Sequence, residues 1–264
     1  MTDALPKQVR DALDDPFAEL TGPLAGTRKL AFEVVENGQL SPSLQRIVLT
    51  APELAGFSYA PGQDVMLLVA AEDRRPIRRR YTIRSFDPAQ LTLTLNIVRH
   101  GQGPGERWLL AARPGDTIEG IGPRGKITTS RSADWHLFMG DESALPAIAA
   151  MTESLPPDAR ATLVIEVPEP DDEQEINAAA AIQLSWLHRL GRPAGNPEQL
   201  TAEAREVELA PGVGQLYLFG EASVVLALRE ILGSRGIAPD QMSPKAYWGR
   251  GKANAGHGEP SKDA

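Results

Sequence analysis

No cysteine occurs among the 264 residues. That excludes disulfides, thiolate zinc sites, cysteine nucleophiles and cysteine-ligated iron–sulfur clusters. Long apolar runs are missing too. No stretch approaches the ~18 apolar residues of a membrane span. The opening MTDALPKQVRDALDDPFAEL is charged throughout, without the apolar core of a signal peptide. These absences predict a soluble, cytoplasmic protein with no membrane partner. Histidine is scarce: His100, His136, His188 and His257 show no ligand spacing, and the acidic run EPDDEQE at 169–175 lacks the spacing of a calcium loop. No metal site is expected. No G-x-S-x-G nucleophile elbow exists either, since Ser143 is followed by Ala144 and Leu145. Positive charge is in deficit as well: the formal net charge is -8, which argues against nucleic acid as a partner.

Against that deficit, residues 74–84 (RRPIRRRYTIR) hold six arginines. The segment Glu72–Arg84 carries +4, leaving -12 for the rest of the chain. Three readings compete: a nucleic-acid or import patch, a solvated loop, and an anion site. The acidic remainder disfavours the patch. A solvated loop accounts for Arg74 and Arg75, but not for Arg79-Arg80-Tyr81-Thr82-Ile83-Arg84, where charge enters a strand beside an aromatic. The planar fork of an arginine matches a diphosphate with two parallel charge-assisted hydrogen bonds. Tyr81 lies two residues beyond Arg79 and so on the same strand face, where its ring can lie flat against a planar cofactor. Thr82 offers a hydroxyl to a ring nitrogen. Clamp, ring and hydroxyl together suit a flavin dinucleotide.

The chain changes texture once. Residues 1–27 read as a loosely attached extension with a short helix broken at Pro16. From Lys29 to about residue 131 the pattern is β: KLAFEVVE, SLQRIVLT, DVMLLVA, RYTIRSF and LTLTLNIVRH, with turns at Asn37-Gly38, Pro61-Gly62 and Asp87-Pro88. In the last of these, Leu91, Leu93, Leu95 and Ile97 share one face, the period of a half-buried antiparallel strand. One short helix is expected at 106–112. From about Asp134 strands alternate with helices: WHLFMG, then SALPAIAAMTESL, ATLVIEV, AIQLSWLH, NPEQLTAEAREVE, QLYLFG, ASVVLALREILGSRG and a last strand near KAYWG. That alternation predicts a parallel sheet. The expected architecture is an antiparallel β barrel over 28–131, an α/β domain over 132–250, and a disordered tail over 251–264, which lacks apolar content.

Three glycine-rich segments deserve separate weights. GIGPRG at 120–125 matches G-x-G-x-x-G formally, but it contains a proline and precedes the β-like KITTS rather than a helix, so it reads as a turn closing the barrel. FMGDESALPAI at 138–148 ends a buried strand and opens a helix at the carboxyl edge of a parallel sheet, a position suited to phosphate. Asp141 and Glu142 would there cap the helix or face a ribose; an ordinary capped helix is an equally good reading. HGQGPGERW at 100–108 leads from a strand into a short helix and could hold a diphosphate in the barrel.

Taken in order, RRYTIRSFD, HGQGPGERW, GPRG, ADWHLFMGDESALPAI, WLHR, YLFGEASVVLALREIL and AYWGRG resemble the siderophore-interacting proteins, FAD-dependent ferric-siderophore reductases of the ferredoxin–NADP reductase-like superfamily. The likeness spans about residues 29–250. It implies that the barrel binds FAD and the α/β domain a nicotinamide nucleotide. Arg79, Tyr81 and Thr82 match the R-x-Y-T motif that holds FAD, with Arg84 and the backbone around Ile83 assisting. His100, Gly103 and Trp108 match the diphosphate-wrapping segment. Gly140, Asp141, Glu142, Ser143 and Ala144 match the nicotinamide-nucleotide segment, with Gly220, Glu221 and Ala222 as its partner; Tyr247 and Trp248 match aromatics near the flavin. One departure stands out: Gly105, Glu106 and Arg107 replace small residues and a serine, and a carboxylate near diphosphate is unfavourable unless it points away or pairs with Arg107.

The resemblance implies reduction of a ferric siderophore with electrons from NADH, NADPH or ferredoxin. Such a reaction needs no acid, base or nucleophile from the protein, so no catalytic side chain is expected. Anionic ferric chelates call for a basic mouth; Arg124, Lys126, Lys245 and Arg250 are its candidates. The acidic PEPDDEQE after strand 161–167 carries no arginine for a 2′-phosphate and favours NADH. Rival expectations are a general flavin or ferredoxin-type reductase with another acceptor, and a non-enzymatic siderophore-binding module.

Overall fold

A computed structural model describes residues 27–72, 75–101 and 103–251. The expected N-terminal extension and the tail beyond Gly251 lie outside the described residues. The chain divides between Lys126 and Ile127 into two compact units.

The first unit is an antiparallel seven-stranded sheet in the order β4-β3-β7-β1-β2-β6-β5. Its strands are β1 (Arg28–Gln39), β2 (Leu44–Thr50), β3 (Asp64–Glu72), β4 (Arg75–Thr82), β5 (Ser85–Asp87), β6 (Thr92–Val98) and β7 (Thr117–Arg124). β4 and β5 are the two outer strands, yet only Ile83 and Arg84 connect them. A link that short spans roughly 10 Å, so the sheet must curl until its edges meet. Ile83 N–H donates to the Gln63 carbonyl at 3.0 Å and Arg84 N–H to the Thr94 carbonyl at 2.9 Å, tying both edges to the link. β6 alternates between buried and half-buried residues, as the period-two pattern requires. Phe32, Ile47, Leu49, Leu67, Ile83, Leu93 and Leu95 fill the interior. One helix, α1 (Pro104–Ala111), crosses against β3 and β4.

The second unit is a parallel five-stranded sheet in the order β10-β9-β8-β11-β12. It comprises β8 (Trp135–Asp141), β9 (Arg160–Val167), β10 (Ala181–His188), β11 (Gly214–Glu221) and β12 (Met242–Trp248), with helices α2 (Leu145–Glu153), α3 (Glu198–Glu206) and α4 (Ala222–Ser234). β8 is buried at every residue, because helices cover both its faces. Leu137 and Met139 pack with Leu200 and Ala204 of α3 and Val224 and Leu228 of α4. Ile148 of α2 lies over Gly140 on the opposite face. The chain runs outward from β8 to β10, then returns to place β11 on the other side of β8. The carboxyl ends of β8 and β11 therefore form the topological switch point.

Some expectations fail locally. Asn37 and Gly38 are not a turn; they pair with Ile47 and Arg46 inside the β1–β2 ladder, and the reversal comes at Leu40–Ser43. GIGPRG is not a loop: residues 120–124 belong to β7, and KITTS beyond it is not a strand. The glycines are there for packing. A Cβ on Gly120 would meet Leu67 Cδ2 at 2.8 Å, and one on Gly122 would meet Val65 Cγ1 at 2.6 Å. RYTIRSF is two strands split at Ile83 and Arg84 rather than one.

Candidate cofactor and nucleotide sites

In the first unit the edge strand β4 presents two faces. Arg80 and Thr82 point one way. Arg80 is taken by a bidentate ion pair with buried Asp64, at 2.9 Å from Nε and 2.6 Å from Nη2. Arg79 and Tyr81 point the other way, and both converge on Gly105 at the start of α1. A Cβ on Gly105 would stand 2.7 Å from Tyr81 Oη and 3.2 Å from Arg79 Cγ. Tyr81 is stacked on Trp108 at 6.3 Å between centroids, tilted 27°. Burial, with a small addition from the Glu106 carboxylate, pushes the Tyr81 phenol well above its ordinary range, although Arg79 opposes the shift. Tyr81 therefore stays neutral. Arg79 Nη1 donates to its neighbour's carbonyl, Arg78 O, at 2.9 Å, and among the described residues it pairs with no carboxylate. A half-buried guanidinium with no carboxylate partner among the described residues, beside a ring and a glycine whose Cβ would displace that ring, fits the diphosphate and ring of a flavin dinucleotide.

The loop before α1 is fixed by the residue that looked out of place. Glu106 is buried; its Oε2 accepts the His100 N–H at 3.1 Å and lies 3.4 Å from His100 Nδ1. The carboxylate thus pairs with His100 rather than Arg107 and holds the loop closed. Gly103 has φ +120° and caps α1, with Pro104 at its first position, where a missing N–H costs nothing. Thr82 is buried on the face opposite Tyr81. The Ile83 side chain is in the core and its N–H donates to the Gln63 carbonyl, so of the backbone expected to assist around it this one donor is already taken. Arg84 is half-buried. Arg124 is half-buried and Lys126 exposed at the end of β7. Burial, then the charge of Arg80, lowers the Arg124 pKa, and Asp64 partly offsets both.

In the second unit the residues expected to meet a nucleotide mostly meet each other. Asp141, at the end of β8, is buried. Its Oδ1 accepts the Ser143 N–H at 3.0 Å and the Ser143 hydroxyl, and its Oδ2 accepts the Glu221 N–H at 3.0 Å and the Trp248 indole N–H at 2.9 Å. One carboxylate thus links the ends of β8, β11 and β12. A ribose-facing role for Asp141 is replaced by this structural one. Burial and the nearby Glu142 charge push its pKa up, against those hydrogen bonds. Gly220, at φ +127°, is required because a Cβ there would sit 2.6 Å from Asp141 Oδ2. Glu142 forms a buried bidentate pair with Arg189, at 2.5 and 2.6 Å, so it neither caps α2 nor faces solvent. Arg189 also reaches Glu166 Oε1 at 3.3 Å, and burial pushes Glu166 up to about 7 despite that partner. Gly140 and Ala144 are buried in packing; a Cβ on Gly140 would meet the Phe219 carbonyl at 2.7 Å. Glu221 is the N-cap of α4, accepting Ser223 N–H at 2.6 Å and Val224 N–H at 3.0 Å. Burial opposes ionisation of Glu221, but those bonds and one from Arg250 N–H hold its pKa low.

Lys245 does not line an open mouth. It is 4% exposed, its ammonium 5.1 Å from the centroid of Tyr247. Arg250 is exposed, but its Nη2 donates to the Ala194 carbonyl at 2.9 Å, holding the 190–197 loop. Sequence reasoning missed Arg189. It stood in WLHR without a role, because its carboxylate partners, Glu142 and Glu166, lie 47 and 23 residues earlier.

Residues 66–127 match the model of the siderophore-interacting FAD-binding domain, and residues 133–251 that of the siderophore-interacting protein. Ferric vibriobactin reductase ViuB of Vibrio cholerae is 31% identical over 83% of this chain and 89% of its own length. The NADPH-dependent ferric-chelate reductase of Escherichia coli is 24% identical over 94% of this chain and 98% of its own. A siderophore utilization protein from T. fusca superposes with a TM-score of 0.79 at 32% identity, covering 88% of this chain and 97% of that one. The fold is also that of Plasmodium falciparum ferredoxin–NADP+ reductase, with a TM-score of 0.67 at 14% identity over 83% and 96% of the two chains.

Proposed function

Since the chain belongs to the siderophore-interacting protein family, we propose that it is an FAD-dependent reductase of ferric siderophores that draws its electrons from a nicotinamide nucleotide. The observation that carries this reading is Arg79, which among the described residues has no carboxylate partner, set beside Tyr81 over Gly105. Arg79, with Gly103 and the α1 N-terminus, would hold the FAD diphosphate, and Tyr81, braced by Trp108, would cover the ring. FAD held there would supply the conversion between a two-electron hydride donor and the one-electron acceptor that iron is. Ferric iron held by hard oxygen donors is released once reduced, because the ferrous ion binds them more weakly. The protein's residues bind, orient and exclude water; none has to move a proton.

Arg124 and Lys126 remain candidates for an anionic chelate, and Arg250 an exposed cation of the second unit; Lys245 drops out because it is buried. The donor preference follows from charge. Arg189 is committed to Glu142 and Glu166, and His188 Nε2 lies 2.8 Å from Glu173 Oε1. Glu169 and Asp171 are exposed after β9, with Arg192 the exposed cation of the neighbouring loop. A 2′-phosphate would meet two free carboxylates there, so NADH is favoured over NADPH, in contrast to the E. coli relative. We place the reaction in the cytoplasm, where that donor is found; no helix among the described residues is long and apolar enough to cross a membrane.

The test is a visible spectrum of the purified protein, then anaerobic titration with NADH, NADPH or reduced ferredoxin, then addition of a ferric siderophore with a ferrous-iron trap. Flavin bleaching by NADH and reoxidation by the chelate are expected. A colourless protein that cannot be reconstituted with FAD would point to a binding module instead.

A further inference from the structure

One residue of the second unit breaks two local rules at once. Arg192 N–H donates to the Arg189 carbonyl at 3.1 Å, closing a four-residue turn just beyond β10. Its central residues, Leu190 and Gly191, have φ of +50° and +81°. Two successive positive φ values mark a type I′ turn, whose first central position takes asparagine, aspartate or glycine. Leucine there bears the Cβ crowding of the left-handed region. Its side chain is also 64% exposed, more than any other large hydrophobic residue among those described. Folding gains nothing from either property.

The turn is nonetheless firmly held. Arg189 N–H donates to the Val167 carbonyl and Leu190 N–H to the Pro168 carbonyl, both at 3.0 Å, extending the β9–β10 ladder. The Arg189 side chain is locked by Glu142 and Glu166, and Gln199 Nε2 donates to the His188 carbonyl at 3.1 Å. Strain kept at a well-anchored, exposed position marks a residue that serves a ligand.

Its place indicates which ligand. Leu190 stands at the carboxyl edge of the sheet, two strands from β8, whose end forms the switch point with β11. Strands about 4.8 Å apart put it roughly 10 Å from that point, within reach of the adenosine half of a dinucleotide whose diphosphate lies there. Arg189 is committed to its carboxylate partners and His188 Nε2 lies against Glu173, so within the turn the apolar surface is that of Leu190, with the exposed Arg192 at its far end. We propose that Leu190 is the platform on which the adenine ring of the nicotinamide nucleotide lies. This rests on the reading of the second unit as the nucleotide-binding one.

The experiment uses the FAD-loaded protein and equilibrium calorimetry with NAD+, 5′-AMP and nicotinamide mononucleotide, the last lacking adenine. Leu190→Asn is expected to weaken NAD+ and 5′-AMP about tenfold, or about 1.4 kcal/mol. It should leave the mononucleotide unchanged and Tm equal or higher, since asparagine tolerates the left-handed turn. Leu190→Phe should bind 5′-AMP at least as tightly as the wild type. Unchanged 5′-AMP binding in Leu190→Asn overturns the proposal, as does an equal loss of 5′-AMP and mononucleotide accompanied by a lower Tm. Wild-type protein that binds neither NAD+ nor 5′-AMP overturns the nucleotide reading and this assignment together. Wild-type binding with an indifferent Leu190→Asn removes Leu190 alone.

Discussion

Gly105→Ala tests the flavin cradle with one methyl group. The added Cβ would lie 2.7 Å from Tyr81 Oη, and ordinary contact begins at 3.4 Å, so the phenol has to retreat by about 0.7 Å. It cannot simply swing away, because its ring is stacked on Trp108. Overpacking of this kind costs typically ~1–3 kcal/mol. Alanine is worth about 1 kcal/mol more than glycine within a helix, which offsets part of that cost in the stability of the fold but none of the displacement of the ring. FAD affinity should therefore fall by roughly tenfold, about 1.4 kcal/mol, while Tm changes little. The assay is titration of the apoprotein with FAD, followed by flavin fluorescence. Tyr81→Phe removes the clashing oxygen and keeps the ring, so the double variant should bind FAD within about threefold of Tyr81→Phe alone. Coupling energies between contacting residues are typically ~0.5–3 kcal/mol. Strict additivity of the two changes, or wild-type affinity in Gly105→Ala, would refute the placement of FAD against Tyr81.

Other consequences are equally open to measurement. Arg79→Ala should weaken FAD by roughly 10- to 100-fold, the loss of about 1.5–3 kcal/mol of charge-assisted hydrogen bonding, with an unchanged far-ultraviolet circular dichroism spectrum. Arg189→Ala leaves two buried carboxylates without their cation; a loss of about 3–5 kcal/mol and a Tm lower by roughly 10 °C are expected, with Arg189→Met less severe if accompanied by Glu142→Gln. Glu166 gives a pH signature. Its folded pKa is raised to about 7 from 4.5, so between those values the native state binds the extra proton and stability falls as pH rises. Glu166→Gln should flatten the dependence of Tm on pH across that window and stabilise the protein at pH 8; a steeper slope in the variant would contradict the raised pKa of Glu166.

The change of texture along the chain and the character of both units were legible in the sequence. Period-two alternation at 92–98 and the largely apolar, non-alternating run at 135–140 distinguish a one-sided from a two-sided sheet in the sequence, and the burial of the two strands agrees. The pairing of Arg79 with Tyr81 also follows from strand geometry alone, because residues two apart share a face. What local pattern could not reveal is which polar groups are already taken. Asp141, Glu142 and Glu221 look like ligand contacts in GDES and GEA, yet beyond the local bonds of Asp141 to Ser143 and of Glu221 to Ser223 and Val224 they take partners from distant parts of the chain: Trp248 and Glu221 for Asp141, Arg189 for Glu142, Arg250 for Glu221. Lys245 reads as a surface cation and is buried. Composition and period by themselves determined the absence of thiol chemistry, the barrel, the parallel sheet and the placing of Arg79 and Tyr81 on one strand face, because each depends on residue type or on neighbours within a few positions. Only the tertiary structure decided which carboxylates are structural, which arginine is unopposed and where a leucine stands strained in solvent, because desolvation and pairing depend on the order in which distant strands come together.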